Sequence, residues 1–528
     1  MLNNELIMQT SAEACTQIAS YFDVVDNCVS MSDTNKQYSI NPQTSYSPSP
    51  PIQQGSYTSV IISPNSHNTA DIYNGFIKAS MKVKVNINEN LASTADVGGQ
   101  RFNRIWYGFK DARDAIEKYE IVANGITIYT QNFGCEESFL TACCANETTK
   151  RADIYSKVRH KDIWNNTEGC RCGFIVEWDV NKEFEGTIHL KIDLRRFLPL
   201  SNIKYLPAFA GKIELRLYFS CAGLVYCPVG PAKDLKNNPG AFYKYSFENI
   251  TNEFTPIGDS MICWTIYSYD EDEGTYALNA GLRTSNVIEY TVIDCLSIIP
   301  CFGISDNVYN SLVQRYSNPS NPLTFPTQTL SVYTTTNALK NANDKTTCTI
   351  TPRFVDSLFC LFPLHNRHKT VFKNPLFDSF YINAGGYGNI PARPFGTNEL
   401  YPEFLEYCQN AMNMNGEQSG FNKEVVTSLT NKDSYVYSAG KFSNDRTSFF
   451  IGLPTETDNT YQQGLTSLSP INFEINVSQK TGEYTFANDV DTPPLLCLLY
   501  DASISILVQP NGMPPLVRIG NYDITTPE

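Results

Sequence analysis

The sequence predicts an all-β protein with two β-sandwich blocks in one chain. Three observations lead there. Aromatics make up 12% of the 528 residues, with 31 Tyr and 30 Phe, and with frequent Thr, Val and Ile they favour strands over helices. Strand signals gather in two blocks, residues 57–222 and 286–528, around a loop-rich stretch at 223–285. Helical periodicity is confined to short segments, as expected for all-β packing. Each block is close to the length of one eight-stranded jelly roll with elaborated loops. No short tandem repeat argues for a solenoid or propeller.

Composition narrows the function classes. At 42% hydrophobic the chain can bury a large core. A net charge of −14 argues against a surface dedicated to nucleic-acid phosphates, so no sequence-specific nucleic-acid binding is expected. A small basic patch, Arg151, Lys157, Arg159 and Lys161, reads as a solvated face. The opening MLNNELIMQTSAEAC lacks the basic and apolar regions of a secretion signal. The 16 Cys are therefore expected to be reduced thiols, many of them buried as small hydrophobes. The sequons at Asn146, Asn165, Asn249 and Asn476 then read as chance matches. The apolar run Pro494 to Tyr500 is too short to span a bilayer.

Taken in order, residues 1–56 read as an N-terminal arm. The spacing of Ile7, Ala14, Ile18 and Tyr21 suits a short helix, and the Pro/Ser-rich QYSINPQTSYSPSPPIQQGS after it suits an extended segment. The first block opens on Met81, Val83, Val85 and Ile87, which alternate with lysines as a half-buried strand does. Asn124-Gly125 between apolar runs predicts a hairpin. CEESFLTACC, 135–144, predicts a helix, and strands are expected at 174–180, 186–197 and 212–219. Residues 223–285, with the acidic run Asp270 to Glu273, read as a linker or long loop. The second block is expected to begin with a strand at 286–302 and a short helix through Val308 and Leu312. Further strands are expected at 329–334, 354–362, 447–453, 471–477 and 495–508. Between them, Phe377, Phe380 and Ile382 lead into Gly385, Gly386 and Gly388 and then Pro391 and Pro394: a strand, a glycine turn and a proline-stiffened strand.

Motifs that would carry chemistry are sparse. His365-x-x-His368 has no third ligand nearby. Cys143, Cys144, Cys170 and Cys172 form a thiol cluster, but one intervening residue between Cys170 and Cys172 strains tetrahedral zinc geometry. The acidic run at 270–273 lacks the spacing of a calcium loop. No phosphate loop, nucleophile elbow or zinc-protease helix occurs. The reading is therefore no catalytic residue, no cofactor site and no metal site.

The order of features carries a resemblance. Asn374-Pro375-Leu376-Phe377, Gly385 to Pro394, Gly464-Leu465-Thr466 and Tyr500-Asp501 follow one another in the second block. In the first, Trp106 to Ala115 leads into KYEIVANGITIYTQN, and Leu194 to Leu200 is followed by Leu206-Pro207 and IELRLYF. This pattern, over residues 74–510, resembles the double-jelly-roll major capsid proteins of the Polinton, adintovirus and virophage group. It departs at the Asn-Pro-Phe position, where Leu376 precedes Phe377. The resemblance implies two stacked jelly rolls with short helices in the loops. It also implies a homotrimer of pseudo-hexagonal outline tiling an icosahedral shell around double-stranded DNA. Expected partners are the chain itself, neighbouring capsomers, and penton and minor capsid proteins; the expected location is the virion, assembled inside the host cell and not secreted. Two other readings stand beside it: a minor capsid or vertex protein of the same virus type, and a β-sandwich carbohydrate-binding protein or glycosidase, which would need a carboxylate pair across a cleft.

Overall fold

The structure, a computed structural model, describes residues 21–22, 24–25, 41–46, 52–53, 56–64, 69–87, 104–109, 111–144, 172–177, 183–229, 260–270, 275–339, 344–363, 369–370, 372, 379–395, 450–455, 464–478, 492–509 and 513–520. The first block contains β1 (Asn41–Tyr46), β2 (Ile52–Gln53), β3 (Tyr57–Ile61), β4 (Thr69–Asp71), β5 (Phe76–Ile87), β6 (Arg104–Phe109), β7 (Ile116–Ala123) and β8 (Ile126–Gln131). Helix α1 (Gly134–Cys144) follows, then β9 (Gly173–Glu177), β10 (Glu183–Asp193), β11 (Tyr205–Pro207), β12 (Ile213–Phe219), β13 (Leu224–Val229), β14 (Ser260–Asp270) and β15 (Thr275–Phe302). One sheet runs β3-β12-β7-β8, a larger one runs β10-β5-β15-β4-β11, and β13-β6-β9 form a third. On β5 the side chains of Ile77, Ala79, Met81, Val83 and Val85 are buried, while Lys78 and Lys82 between them are exposed. That is the period of two that the sequence carries.

The second block holds helix α2 (Asp306–Tyr316), β16 (Leu323–Thr334), β17 (Lys345–Ile350), β18 (Val355–Leu361), β19 (Ser379–Ala384), β20 (Asn389–Phe395), β21 (Phe450–Pro454), β22 (Ile471–Ser478), β23 (Leu495–Leu507) and β24 (Leu516–Gly520). Counting β16 to β23 as first to eighth, one sheet is ordered first-eighth-third-sixth and the other second-seventh-fourth-fifth, all antiparallel. This is the jelly-roll order. The main strands of the first block repeat its signature: β3, β12 and β7 stand as first, last and third, and β5 pairs β10 as second with next-to-last. The fold is all-β, with two jelly-roll sandwiches in one chain. Among the described residues, no helix is long and apolar enough to cross a membrane.

The two predicted hairpins are present. Asn124 and Gly125 both take positive φ (51° and 87°) in the β7–β8 turn, the conformation that favours this pair. Gly385 and Gly388 do the same between β19 and β20. The prolines at 391 and 394 sit in β20, the outer strand of its sheet, where a missing N–H is tolerated. The predicted helices at 135–144 and around Val308 are α1 and α2.

Four expectations need correction. The strand at 286–302 does not open the second sandwich: it is the end of β15, which pairs β5 along residues 285–298. The second sandwich begins at β16. The stretch 223–285 is not wholly a loop, because β14 and β15 form a long antiparallel ladder whose tip lies at the acidic run. Its members 271–273 lie outside the described residues. Nor do the described parts of the region 1–56 form an arm outside the domains. β1 and β2 pair the edge of β15 opposite β5, and Tyr21 and Val25 are buried in the first core. Finally, β16 starts six residues before the expected 329, running through Pro326. β16 is an outer strand, so the proline needs no ladder partner on its N side.

Each sandwich has its own core, and each core borrows from the other block. The first includes Leu323, Phe325, Ile504, Ile506 and Val517; the second includes Phe139, Leu140 and Leu198. This explains why β18 and the Leu495–Tyr500 run of β23 are buried at every position: one face meets the partner sheet, the other meets α1 and its neighbours. A strand covered on both faces reads as a continuous apolar run.

Candidate functional site

The feature that sets this chain apart from a single sandwich is the joint between its two sandwiches. It is built around a 3-10 turn, Ala112–Ala115, entered through Asp111. The Asp111 carboxylate accepts from the Arg113 N–H (3.0 Å) and the Asp114 carboxylate accepts from the Asp111 N–H (3.1 Å), a reciprocal cap. Asp111 also pairs Arg196 at 2.7 Å, and Asp114 accepts from the Ser138 hydroxyl at 2.6 Å. The turn aims Arg113 inward, where it is wholly buried between the rings of Phe197 (4.3 Å) and Tyr119 (5.0 Å). Its Nη1 donates to the Ile116 carbonyl (3.1 Å), and its Nη2 lies 3.6 Å from Glu137 Oε1.

Glu137, on α1, is the hub. Its carboxylate accepts from the Tyr119 hydroxyl (2.9 Å), Gln131 Nε2 (2.9 Å) and the Leu198 N–H (3.2 Å). Burial raises its pKa, and Arg113 and these donors oppose the rise. The hub reaches the second sandwich directly. Gln131 Nε2 donates to the Leu330 carbonyl on β16 (2.8 Å), and Thr327 on the same strand donates to the carbonyls of Leu198 (3.1 Å) and Pro199 (2.9 Å). The helix is seated tightly: a Cβ on Gly134 would lie 2.5 Å from the Ile116 carbonyl oxygen, so only glycine fits without displacement.

Two further contacts cross the joint. Glu136, next to the hub, is buried and faces Lys369 at 3.7 Å. Burial pushes its carboxyl up to about 7, against the pull of Lys369. Phe139, one turn on, packs at 4.5 Å from Phe372 and 6.1 Å from Phe450. At the other end of the β7–β8 hairpin Asn124 accepts from the Lys212 N–H and donates to the Pro515 carbonyl, each at 2.9 Å, tying the β7–β8 turn to the chain before β24. Hydrogen bonds, an ion pair and apolar packing thus hold the sandwiches together.

Most of the sequence-selected candidates lie outside the described residues. Cys143 and Cys144 end α1, Cys172 is buried just before β9, and Cys170 lies outside the described residues, as do His365, His368 and the basic patch at 151–161. No group of metal-binding side chains occurs among the described residues. Of Cys135, Cys172, Cys221, Cys295, Cys301, Cys348, Cys360 and Cys497, none forms a disulfide and all but the half-buried Cys348 are buried. Burial raises the thiol pKa values of Cys135, Cys221, Cys295, Cys301, Cys348, Cys360 and Cys497, that of Cys295 to about 12. An exposed Ser80–His189 contact (3.1 Å) lies on the outer face of β5 and β10. The nearest acid across the ladder, Asp294, is opposite Ser80 rather than behind His189, so the order of a charge-orienting triad is not met. Sequence reasoning missed the whole joint. The only signal was a pair of glutamates, Glu136 and Glu137, inside the apolar helix CEESFLTACC.

No protein-family model matches the chain, and no curated protein matches its sequence. Among solved structures it is similar to a chain of the Sputnik virophage determined at 3.5 Å by cryo-electron microscopy, with 13% identity, a TM-score of 0.44, and 91% of this chain and 89% of that one covered. It is also similar to the mavirus major capsid protein, with 10% identity, a TM-score of 0.44 and 93% of both chains covered. A third is the PBCV-1 virus capsid, with 9% identity, a TM-score of 0.43, and 91% of this chain and 98% of that one covered.

Proposed function

We propose that this chain is a structural virion protein, a major capsid protein whose trimers form pseudo-hexagonal capsomers in an icosahedral shell around double-stranded DNA. The observation that carries the reading is the pairing of two jelly-roll sandwiches in one chain, fixed to each other through a buried joint. Three such chains supply six similar sandwiches, which is what a pseudo-hexagonal block requires. The residues with acid–base capacity in the joint are engaged in holding it, which supports a structural rather than a catalytic role. In this reading the domain division falls between β15 and β16, and the partners are further copies, neighbouring capsomers, and penton and minor capsid proteins.

Light scattering of the purified protein is the first test, with an expected mass three times the 59.2 kDa chain. Electron microscopy of assembled particles is the second, with hexagonally packed blocks expected. A protein that stays monomeric at every concentration and never forms particles refutes the proposal. Copy number per particle separates a facet protein from a vertex protein.

A further inference from the structure

A groove of about 520 Å³ runs between β8 of the first block and β24 of the second, a volume typical of small-molecule sites. Ile126, Ile128, Leu516, Val517 and Ile519 line it. Val517 is buried in the first core, and Ile128 and Ile519 are half-buried against it. Ile126, by contrast, is 67% exposed, and Met513, beside the lining Pro514, is 61% exposed. Large apolar side chains left in water around a groove mark a binding surface. Polar groups are few. Asn124 lines the groove too, but its amide is already engaged with Lys212 and Pro515. Gln509 adds one amide and Arg518 one cation. None of the described lining residues is acidic. Arg518 is exposed and forms no ion pair among the described residues.

These features select a ligand by its chemistry. An alkyl chain asks only for apolar contact, which the walls supply. An anionic head complements the single free cation, and no carboxylate of the groove repels it. We propose that this groove binds a free fatty acid of medium chain length. Its alkyl chain lies along Ile126, Ile128, Leu516 and Ile519, and its carboxylate pairs with Arg518. Because β8 and β24 come from different blocks, the bound chain bridges them beside the Asn124–Pro515 hydrogen bond. The inference stands apart from the proposed capsid role.

Calorimetric titration of the full chain with hexanoate, octanoate and decanoate, each below its micelle concentration, tests it. The alcohol of each length is titrated in parallel. Saturable binding is expected, tightening about fourfold with each added methylene. Arg518→Gln should weaken the acids about three- to tenfold and leave the alcohols unchanged. Ile126→Gln should weaken acids and alcohols alike. Bound decanoate should also slow hydrogen exchange at residues 513–520. Absence of saturable binding overturns the proposal, as does an affinity that ignores chain length. Equal losses of acid and alcohol in Arg518→Gln overturn it too. Retention on phosphatidylglycerol vesicles without binding of any free acid assigns the face to a bilayer instead. Self-association abolished by Ile126→Gln, again without acid binding, assigns it to a second copy; either result overturns the proposal. Light scattering scores oligomers separately, so an absence of trimers counts against the capsid reading and not against the groove.

Discussion

Replacing Glu136 by Gln should flatten part of the pH dependence of stability. The carboxyl is buried, faces Lys369 at 3.7 Å, and has its pKa raised from 4.5 to about 7 by burial. The other ionisable groups bearing on it are Glu117 on β7, Cys135 beside it on α1 and Cys497 on β23. Between pH 4.5 and 7 the folded protein holds a proton that the unfolded chain has released. Stability from this group is therefore complete below about pH 4.5 and lost as pH rises through 7. A displacement of 2.5 pH units corresponds to about 3 kcal/mol. In E136Q the group cannot ionise, so the difference in unfolding free energy between variant and wild type should shift in the variant's favour by about 3 kcal/mol from pH 4.5 to 8. For 528 residues that is a relative shift of about 3 °C in Tm. Glu137 also has a raised pKa and is present in both proteins, so it cancels in the comparison. Urea unfolding across this pH range measures the difference directly. Parallel stability curves, with a constant offset set by the lost Lys369 ion pair, would refute the argument.

Three other outcomes follow from the same geometry. Arg113→Ala leaves buried Glu137 without its cation and should cost about 3–5 kcal/mol, while Arg113→Leu combined with Glu137→Leu should recover much of it; urea unfolding at pH 7 compares them. Asn124→Ala removes two hydrogen bonds and puts alanine at a φ of 51°, for about 1–3 kcal/mol, and hydrogen exchange should rise first at residues 513–520. The buried thiols Cys135, Cys221, Cys360 and Cys497, with pKa values raised by burial, should react with a thiol reagent only after denaturation; rapid reaction of these four in the native protein contradicts the packing described.

What the sequence makes legible is local. The Asn124-Gly125 turn, the glycine turn at 385–388 and the alternation on β5 each depend on neighbours a few residues apart, and all three are present. The position of β15 is not legible: a strand of Val, Ile and Cys at 286–302 has no local feature that says which sandwich it joins, and its partner β5 lies about two hundred residues back. Pro326 hides the first half of β16, because the same residue that breaks an inner strand is harmless on an outer one. The joint is hidden for a further reason. Arg113, Asp114 and Glu137 look like surface charges until the 3-10 turn and α1 bring them together. Tyr21 is legible as part of a helix, but the rings that receive it, Tyr316 and Phe325, come from distant stretches.

The composition of the joint has its own logic. Apolar packing, such as Phe139 against Phe372, is strong but weakly directional, and it allows one sandwich to slide on another at little cost. Hydrogen bonds from Gln131 to Leu330 and from Thr327 to Leu198 and Pro199 are short and directional, so each defines one relative position. Placing them around a buried Arg113–Glu137 pair makes any slip expensive, because it would leave a charge in the interior without its partners. The net stabilisation from such a pair is small compared with an apolar substitute; what it adds is a single arrangement. Under the proposed capsid role, a block that repeats many times in a closed shell needs that property more than extra stability, since an angular error between its two sandwiches would recur at every contact.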